Sequence, residues 1–216
     1  MYALAASAAG VSVLASARPA QGKVIYTPTH HVIRLGSKYD LDLNHDGKKD
    51  FTIYDFSCAL TSRCVTAGGA LGIQSVGSGH YNFVSAGQVG HGGGGNVGSA
   101  IAFHKGAPIP GGGVTSWDAA ALVGDNLGSY YGYWYPNVKN RYVGLGFMIG
   151  NTRHYGWARM SVRTFGTQLK FNAVGILTGY AYETIPNKPI IAGKTTGPDV
   201  VTVQPASLGH LALGRK

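Results

Sequence analysis

The sequence predicts an all-β protein: an antiparallel β-sandwich, jelly-roll-like, with long Gly-rich loops and at most one short helix. Three observations lead there. Charged residues are only 12% of the 216, while glycine occurs 34 times and tyrosine 13 times. Strands favour aromatic and β-branched residues, and short strands need the many turns that glycine serves. Apolar and polar residues alternate with period two in several stretches, and those stretches are separated by turn signals at short spacing, as in a sandwich. A chain of this length suffices for one domain with a real core.

The N-terminal stretch, residues 1–22, reads as a signal peptide. Ala3 to Ala15 is an apolar run of small residues, too short to span a bilayer, and it precedes the small-x-small sites Ala15-Ser16-Ala17 and Ala20-Gln21-Gly22. No later stretch has the length of a transmembrane helix, so the expected protein is exported and extracellular or associated with the cell envelope. Residues 23–184 are the expected β-sandwich domain, and residues 185–216, rich in Pro, Gly and Thr, an extended C-terminal tail or edge segment.

Within the domain, Val24 and Tyr26 followed by Val32 and Arg34 suggest a strand pair around a turn at Thr27-Pro28-Thr29. Tyr39, Leu41 and Leu43, then Phe51 and Ile53, alternate on either side of a polar loop, which predicts a hairpin with an insertion at its tip. Residues 68–113 carry many of the glycines and read as long surface loops with short strands near Tyr81–Val84 and Ile101–His104. Ser116 to Val123 has an N-cap serine and an alanine run, the one candidate helix. Val143, Leu145, Phe147 and Ile149 share one face of a strand. Ala158, Met160 and Val162 share another, across a turn at residues 150–153. The run FNAVGILTGYAY is apolar on both faces, as a central strand would be.

The most specific chemical signal is residues 42–50, D-x-N-x-D-G-x-x-D. Asp42, Asn44 and Asp46 can turn alternate side-chain oxygens inward, Gly47 permits the sharp turn, and Asp50 closes the site. That is the oxygen-rich pattern a hard cation such as Ca²⁺ needs. Five of the nine acidic residues lie between Asp40 and Asp55, and such crowding is repulsive unless a cation or the adjacent Lys48 and Lys49 offset it. Ile53 stands where an EF-hand places a bidentate glutamate, so this is not an EF-hand; the bland alternative is an Asx-rich turn without metal. Cys58 and Cys64, the only cysteines, most simply form one disulfide, closing a short loop at a gain of roughly 2 kcal/mol.

The segment SYYGYWYPN offers Tyr131, Tyr133, Trp134 and Tyr135 as a ligand-binding aromatic surface, since sugars stack on flat rings; packing over the sandwich edge is the alternative. The net charge of +9 is spread without a basic run, which argues against nucleic acid and leaves anionic polysaccharide or envelope glycans as the partner class. No nucleophile elbow, HExxH or P-loop is present, and the protein is expected not to be an enzyme. A glycan hydrolase using Glu183, with Asp118 as its partner carboxylate, is the enzymatic alternative.

The stretches DLNHDG, HYGWAR and GYAYET, with their surroundings, resemble uncharacterised exported bacterial β-sandwich proteins associated with PEP-CTERM-type sorting. The resemblance covers roughly residues 1–60 and 140–213. It implies an exported protein held in the envelope or exopolysaccharide. The tail ends in Arg215-Lys216 as a sorting tail does, but no hydrophobic span precedes that pair and no Pro-Glu-Pro occurs. The expected function is therefore a non-enzymatic secreted envelope or extracellular-matrix protein with a structural calcium loop; the alternative is a carbohydrate-binding module.

Overall fold

A computed structural model describes residues 22–58, 68–76, 81–90, 96–112, 115–126, 129–167 and 170–204. The N-terminal part contains β1 (Val24–Ile33), β2 (Lys38–Leu41), β3 (Phe51–Cys58) and β4 (Gly68–Ser75). The middle contains β5 (Phe83–Gly90), β6 (Asn96–Ala100), β7 (Pro108–Ile109), β8 (Thr115–Trp117), β9 (Ala119–Asn126) and β10 (Ser129–Tyr131). Three long strands follow, β11 (Asn137–Ile149), β12 (Thr152–Thr167) and β13 (Lys170–Glu183), then the short β14 (Ile190–Ile191) and β15 (Val200–Thr202). The fold is all-β, and there is no helix among the described residues.

One sheet of thirteen strands runs in the order β15-β1-β13-β12-β11-β5-β6-β9-β4-β3-β2, with β10 on β9 and β8 on β5; β7 and β14 form a separate pair. Most pairings are antiparallel, while β1 with β15 and β6 with β9 are parallel. The sheet curls so that β13 lies across β3, β4 and β9, a sandwich-like closure. Register shifts in β1, β4, β11 and β12 mark where it bends, because a bulge adds local twist. The pairings establish this sandwich-like class, built from the meanders β2-β3-β4 and β11-β12-β13, rather than a jelly-roll order in particular.

The main core lies inside the curl, where Leu41, Leu43, Phe51, Ile53, Leu71 and Ile73 meet Val143, Leu145, Phe147, Met160 and Leu177. Period-two alternation puts these residues inward, so the two hairpins and the long central strand form where the sequence predicts them. A second core covers the outer side of the β11–β13 meander, with Trp157 and Tyr142 packed under Ile109, Phe103 and Ile190. Ile190 and Ala192 are almost fully buried there, and β15 extends the sheet beside β1. Residues 190–202 therefore belong to the fold rather than to a tail; apolar side chains of β14 close the second core.

Three other expectations are corrected. The Thr27-Pro28-Thr29 turn is a bulge within the single strand β1, which crosses β13 with Pro28 opposite Gly179. The stretch Ser116–Val123 is not a helix but parts of β8 and β9. Pairing with β4 along Gln74↔Ala119 to Gly68↔Asn126 satisfies its backbone, and tertiary pairing outweighs alanine's helix propensity. The glycine-rich stretch 68–113, expected as loops with short strands near Tyr81–Val84 and Ile101–His104, carries β4, β5 and β6, while Phe103 makes only an isolated bridge to Tyr142. Some of its glycines, and of those in the later strands, lie beneath rings: Gly72 faces Tyr54 across β3–β4, and Gly146 faces Phe83 across β5–β11. A Cβ on Gly146 would come within 2.3 Å of the Phe83 ring.

Residues 1–21 and 205–216, which carry most of the expected signal peptide and the end of the tail, lie outside the described residues. So does the expected disulfide: Cys64 is not among them, and of Cys58 only the backbone pairing with Gly68 is described. Among the described residues no helix is long and apolar enough to cross a membrane.

Candidate functional site

The polar loop 42–50 joins β2 to β3, and its ends are fixed by the hairpin. Asp50 donates its backbone N–H to the Leu41 carbonyl at 2.8 Å. Leu43 is fully buried and plugs the loop into the main core. Its own N–H donates to Asp50 Oδ2 at 2.8 Å, so a buried carboxylate caps the amide that the loop cannot pair within the sheet. Asn82 ties the loop's end to β11: its Nδ2 donates to the Asp50 carbonyl, and its Oδ1 accepts the Met148 N–H.

Around the turn, Asp42 Oδ2 accepts the Gly47 N–H at 2.8 Å and Asp46 Oδ1 accepts the Lys48 N–H at 2.8 Å. Asn44 Nδ2 donates to Asp46 Oδ2 at 3.2 Å. Gly47 has φ +85°, and His45, at φ +61°, also takes the left-handed conformation. His45 is anchored outside the loop, with Nε2 2.8 Å from Thr27 Oγ1 and its ring tilted against Tyr180. These Asx bonds are what a D-x-N-x-D-G sequence makes with its own backbone.

The loop is electrostatically crowded. Burial first, then the charges of Asp42 and Asp46, push the Asp50 carboxyl up to about 6, although the Leu43 N–H opposes this. The Asp42 charge also adds to the burial that raises the hydroxyls of Tyr39 and Tyr182. Lys49 answers Asp40, at 3.5 Å on the exposed side. Of the four expected metal ligands, Asp42, Asn44 and Asp46 are linked directly, and Asp50 joins them from below through its field. Among the described residues, no three His, Cys, Asp or Glu side chains stand close enough together to hold a metal ion. Beside the loop opens a cleft of about 710 Å³, walled by Asp46, Lys48, Tyr81, Asn82 and Asn151.

The aromatic segment divides. Trp134 has no exposed surface, and its Nε1 donates to the Ala100 carbonyl at 2.8 Å, so it is a core residue and cannot stack on a ligand. The sequence pattern is ambiguous here because a tryptophan among tyrosines fits either a platform or a plug. Tyr131 lies over Gly124 of β9. Tyr133 and Tyr135 are 44% and 43% exposed, and Tyr135 stacks nearly parallel on Tyr130, with ring centroids 4.9 Å apart.

Glu183, the expected catalytic carboxylate of the enzymatic alternative, is 2% exposed. It bridges to Lys188 Nζ at 2.9 Å and accepts the Ile185 N–H at 3.1 Å. It fastens the end of β13 to the segment that follows. Asp118 lies between β8 and β9, its carbonyl accepting the Ser75 N–H.

Two features escaped the sequence reading. Asp55 follows Phe51 and Ile53 on the inward face of β3 and is buried, and its alternation with them is the signal that was available. An apolar groove lined by Arg34, Lys139 and Arg163 draws on the consecutive strands β11, β12 and β13 and on the residue that follows the distant β1. Compared with family models, curated proteins and solved structures, the chain matches none.

Proposed function

We propose that this chain is a non-enzymatic exported β-sandwich of the cell envelope or extracellular matrix, whose loop 42–50 takes up Ca²⁺ as a structural staple. The observation that supports this best is the crowding of Asp42, Asp46 and Asp50 on one loop, where the charges of Asp42 and Asp46 add to the burial that raises the Asp50 carboxyl. A divalent cation removes that repulsion. A carboxylate oxygen has lone pairs to spare when it accepts one N–H, so the Asx bonds are compatible with coordination. Binding requires Asp42 and Asp46 to close on Asp50. Export and envelope association are supported by the composition of residues 1–22 and by the resemblance to exported bacterial β-sandwich proteins. The pairing of Glu183 with Lys188 supports a structural role for that carboxylate over a catalytic one.

The test is thermal unfolding in millimolar Ca²⁺ and in EDTA, with Asp46→Ala beside the unmodified chain. At about 100 times the dissociation constant, Ca²⁺ adds roughly 2.7 kcal/mol, a rise in Tm of roughly 5 to 10 °C for a domain this size. A rise of that order, lost in Asp46→Ala, supports the staple; equal midpoints in Ca²⁺ and EDTA refute it.

The second reading, a carbohydrate-binding module, is favoured by one observation: Tyr133 and Tyr135 are half exposed, and Tyr135 is held by stacking on Tyr130. Retention on insoluble polysaccharide that is lost in Tyr133→Ala and Tyr135→Ala supports it, and retention unaffected by both variants refutes it.

A further inference from the structure

We propose that the outer face of the strip β1-β13-β12-β11 is a groove for a single-chain anionic amphiphile, an alkyl chain carrying a phosphate head. The register builds this face. Gly175 points into the main core, against Leu71 and Met160, so its neighbours Val174 and Ile176 must point outward. Arg163 lies opposite Val174 and Asn137, and Ile176 lies opposite Val32 and Ser161. The rows therefore place Val174 and Ile176 at the centre, with Val32 and Phe165 flanking them at 39% and 46% exposure. Further along the meander the outer face is covered by the second core; here it is open, and the groove encloses about 890 Å³. That volume is in the range of small-molecule sites, and a contiguous exposed apolar patch on a soluble face marks a binding surface.

The rim selects the head group. Arg34, Lys139 and Arg163 all line the groove, and among the described residues no acidic one does. Among the described residues the salt bridges join Lys49 to Asp40, Lys188 to Glu183 and Lys194 to Asp199, so none engages these three cations. Arg159, on the same side of β12, shows the contrast: its Nε donates to Thr178 Oγ1 at 2.7 Å and its Nη2 to the Thr178 carbonyl, which fixes it in the structure. Two free guanidinium groups match a phosphate with paired donors.

The polar neutral groups argue for an acyl or alkyl chain over a sugar. Asn137 Oδ1 accepts the Thr164 N–H, and Ser161 Oγ accepts the Asn140 N–H. A sugar would need polar partners across the floor, whereas Val174 and Ile176, which form its centre, offer none and suit an alkyl chain. The concavity suits one molecule within the groove, where a bilayer surface would meet protruding apolar side chains.

The experiment is calorimetric titration of the full chain with dodecyl phosphate below its micelle-forming concentration. Saturable one-to-one binding is expected. It should weaken by about tenfold or more in the double variant Arg34→Gln, Arg163→Gln, as for lost charge-assisted bonds, and disappear in Val174→Asp. Dodecyl maltoside, which has the chain but no charge, should bind far more weakly, and inorganic phosphate should give no saturable signal. The proposal is overturned if dodecyl phosphate does not bind, if dodecyl maltoside or inorganic phosphate binds as well, or if only vesicles of anionic phospholipid are bound. These ligand comparisons use the unmodified chain, so they decide the matter even where a variant fails to fold.

Discussion

The Asp50 carboxylate accepts the backbone N–H of Leu43 at 2.8 Å beneath a loop on which Asp46 is exposed and Asp42 half-buried. One contact therefore joins the loop's polar chemistry to the main core, since Leu43 is fully buried on the same turn. Asp50→Ala leaves that amide buried without an acceptor, at a cost of about 1–3 kcal/mol. Urea unfolding in EDTA should show the loss, because in EDTA it arises without any metal. Asp50→Asn, which keeps an acceptor oxygen, should recover most of it. Equal stability of the alanine and asparagine variants would show that the carboxamide oxygen does not take over this bond.

The ring of Phe83 lies on Gly146 of the neighbouring strand, and Arg153 lies over the ring with its guanidinium carbon 5.4 Å from the centroid. Phe83 is buried, so the ring has little room to give way. Gly146→Ala is expected to destabilise by about 1–3 kcal/mol through overpacking. In the Phe83→Leu background the same substitution should cost markedly less, a coupling that a double-mutant cycle measures directly. Additive effects would mean that the two residues do not compete for that space.

The hairpin β2-β3 and the meander β11-β12-β13 could be read from residues such as Leu41, Phe51, Val143 and Met160 because their inward faces follow period two. The glycine-rich strand β4 could not, since the side chain over its glycine sits on the partner strand: Tyr54 supplies it for Gly72. Helix propensity misread residues 116–123 because β4 supplies the backbone partners, and no local signal reports β4. The loop 42–50 was legible as an Asx-rich turn because its bonds are local. The cationic groove was not, because Arg34, Lys139, Arg163 and Val174 meet only through the pairing of four strands.

Trp134 and Tyr135 are chain neighbours with opposite roles. Trp134→Ala empties a fully buried site and strands the Ala100 carbonyl, so a loss of about 3–5 kcal/mol is expected. Tyr135→Ala removes a ring that is 43% exposed and should cost less than about 1 kcal/mol. Denaturant midpoints of the two variants check this. A mild Trp134→Ala would contradict its place in the core.

Ile190, 1% exposed, lies beside Ile109 of β7 and packs on Trp157 and Tyr142. If residues 190–202 are part of the domain, Ile190→Ala should destabilise the whole domain by about 2–5 kcal/mol in a single transition. A variant that unfolds at the original midpoint would return this segment to the status of a tail.

Asp55 gives the chain a pH dependence that can be stated with its sign. Burial pushes its carboxyl up to about 7 from 3.8, and among the described residues neither of its oxygens has a hydrogen-bond partner. Between those values the folded state holds a proton that the unfolded state has released. Stability from this group is therefore complete below about pH 4, falls as pH rises toward 7, and is flat beyond. The full shift of roughly three units corresponds to at most about 4 kcal/mol. Asp55→Asn stays neutral at every pH, so its stability profile should be flatter between pH 5 and 8, and near pH 8 it should exceed the unmodified chain. Urea midpoints at those two pH values decide it: parallel profiles for the two proteins would show that Asp55 ionises in the folded state as it does in water, and hence that its carboxylate is solvated in place.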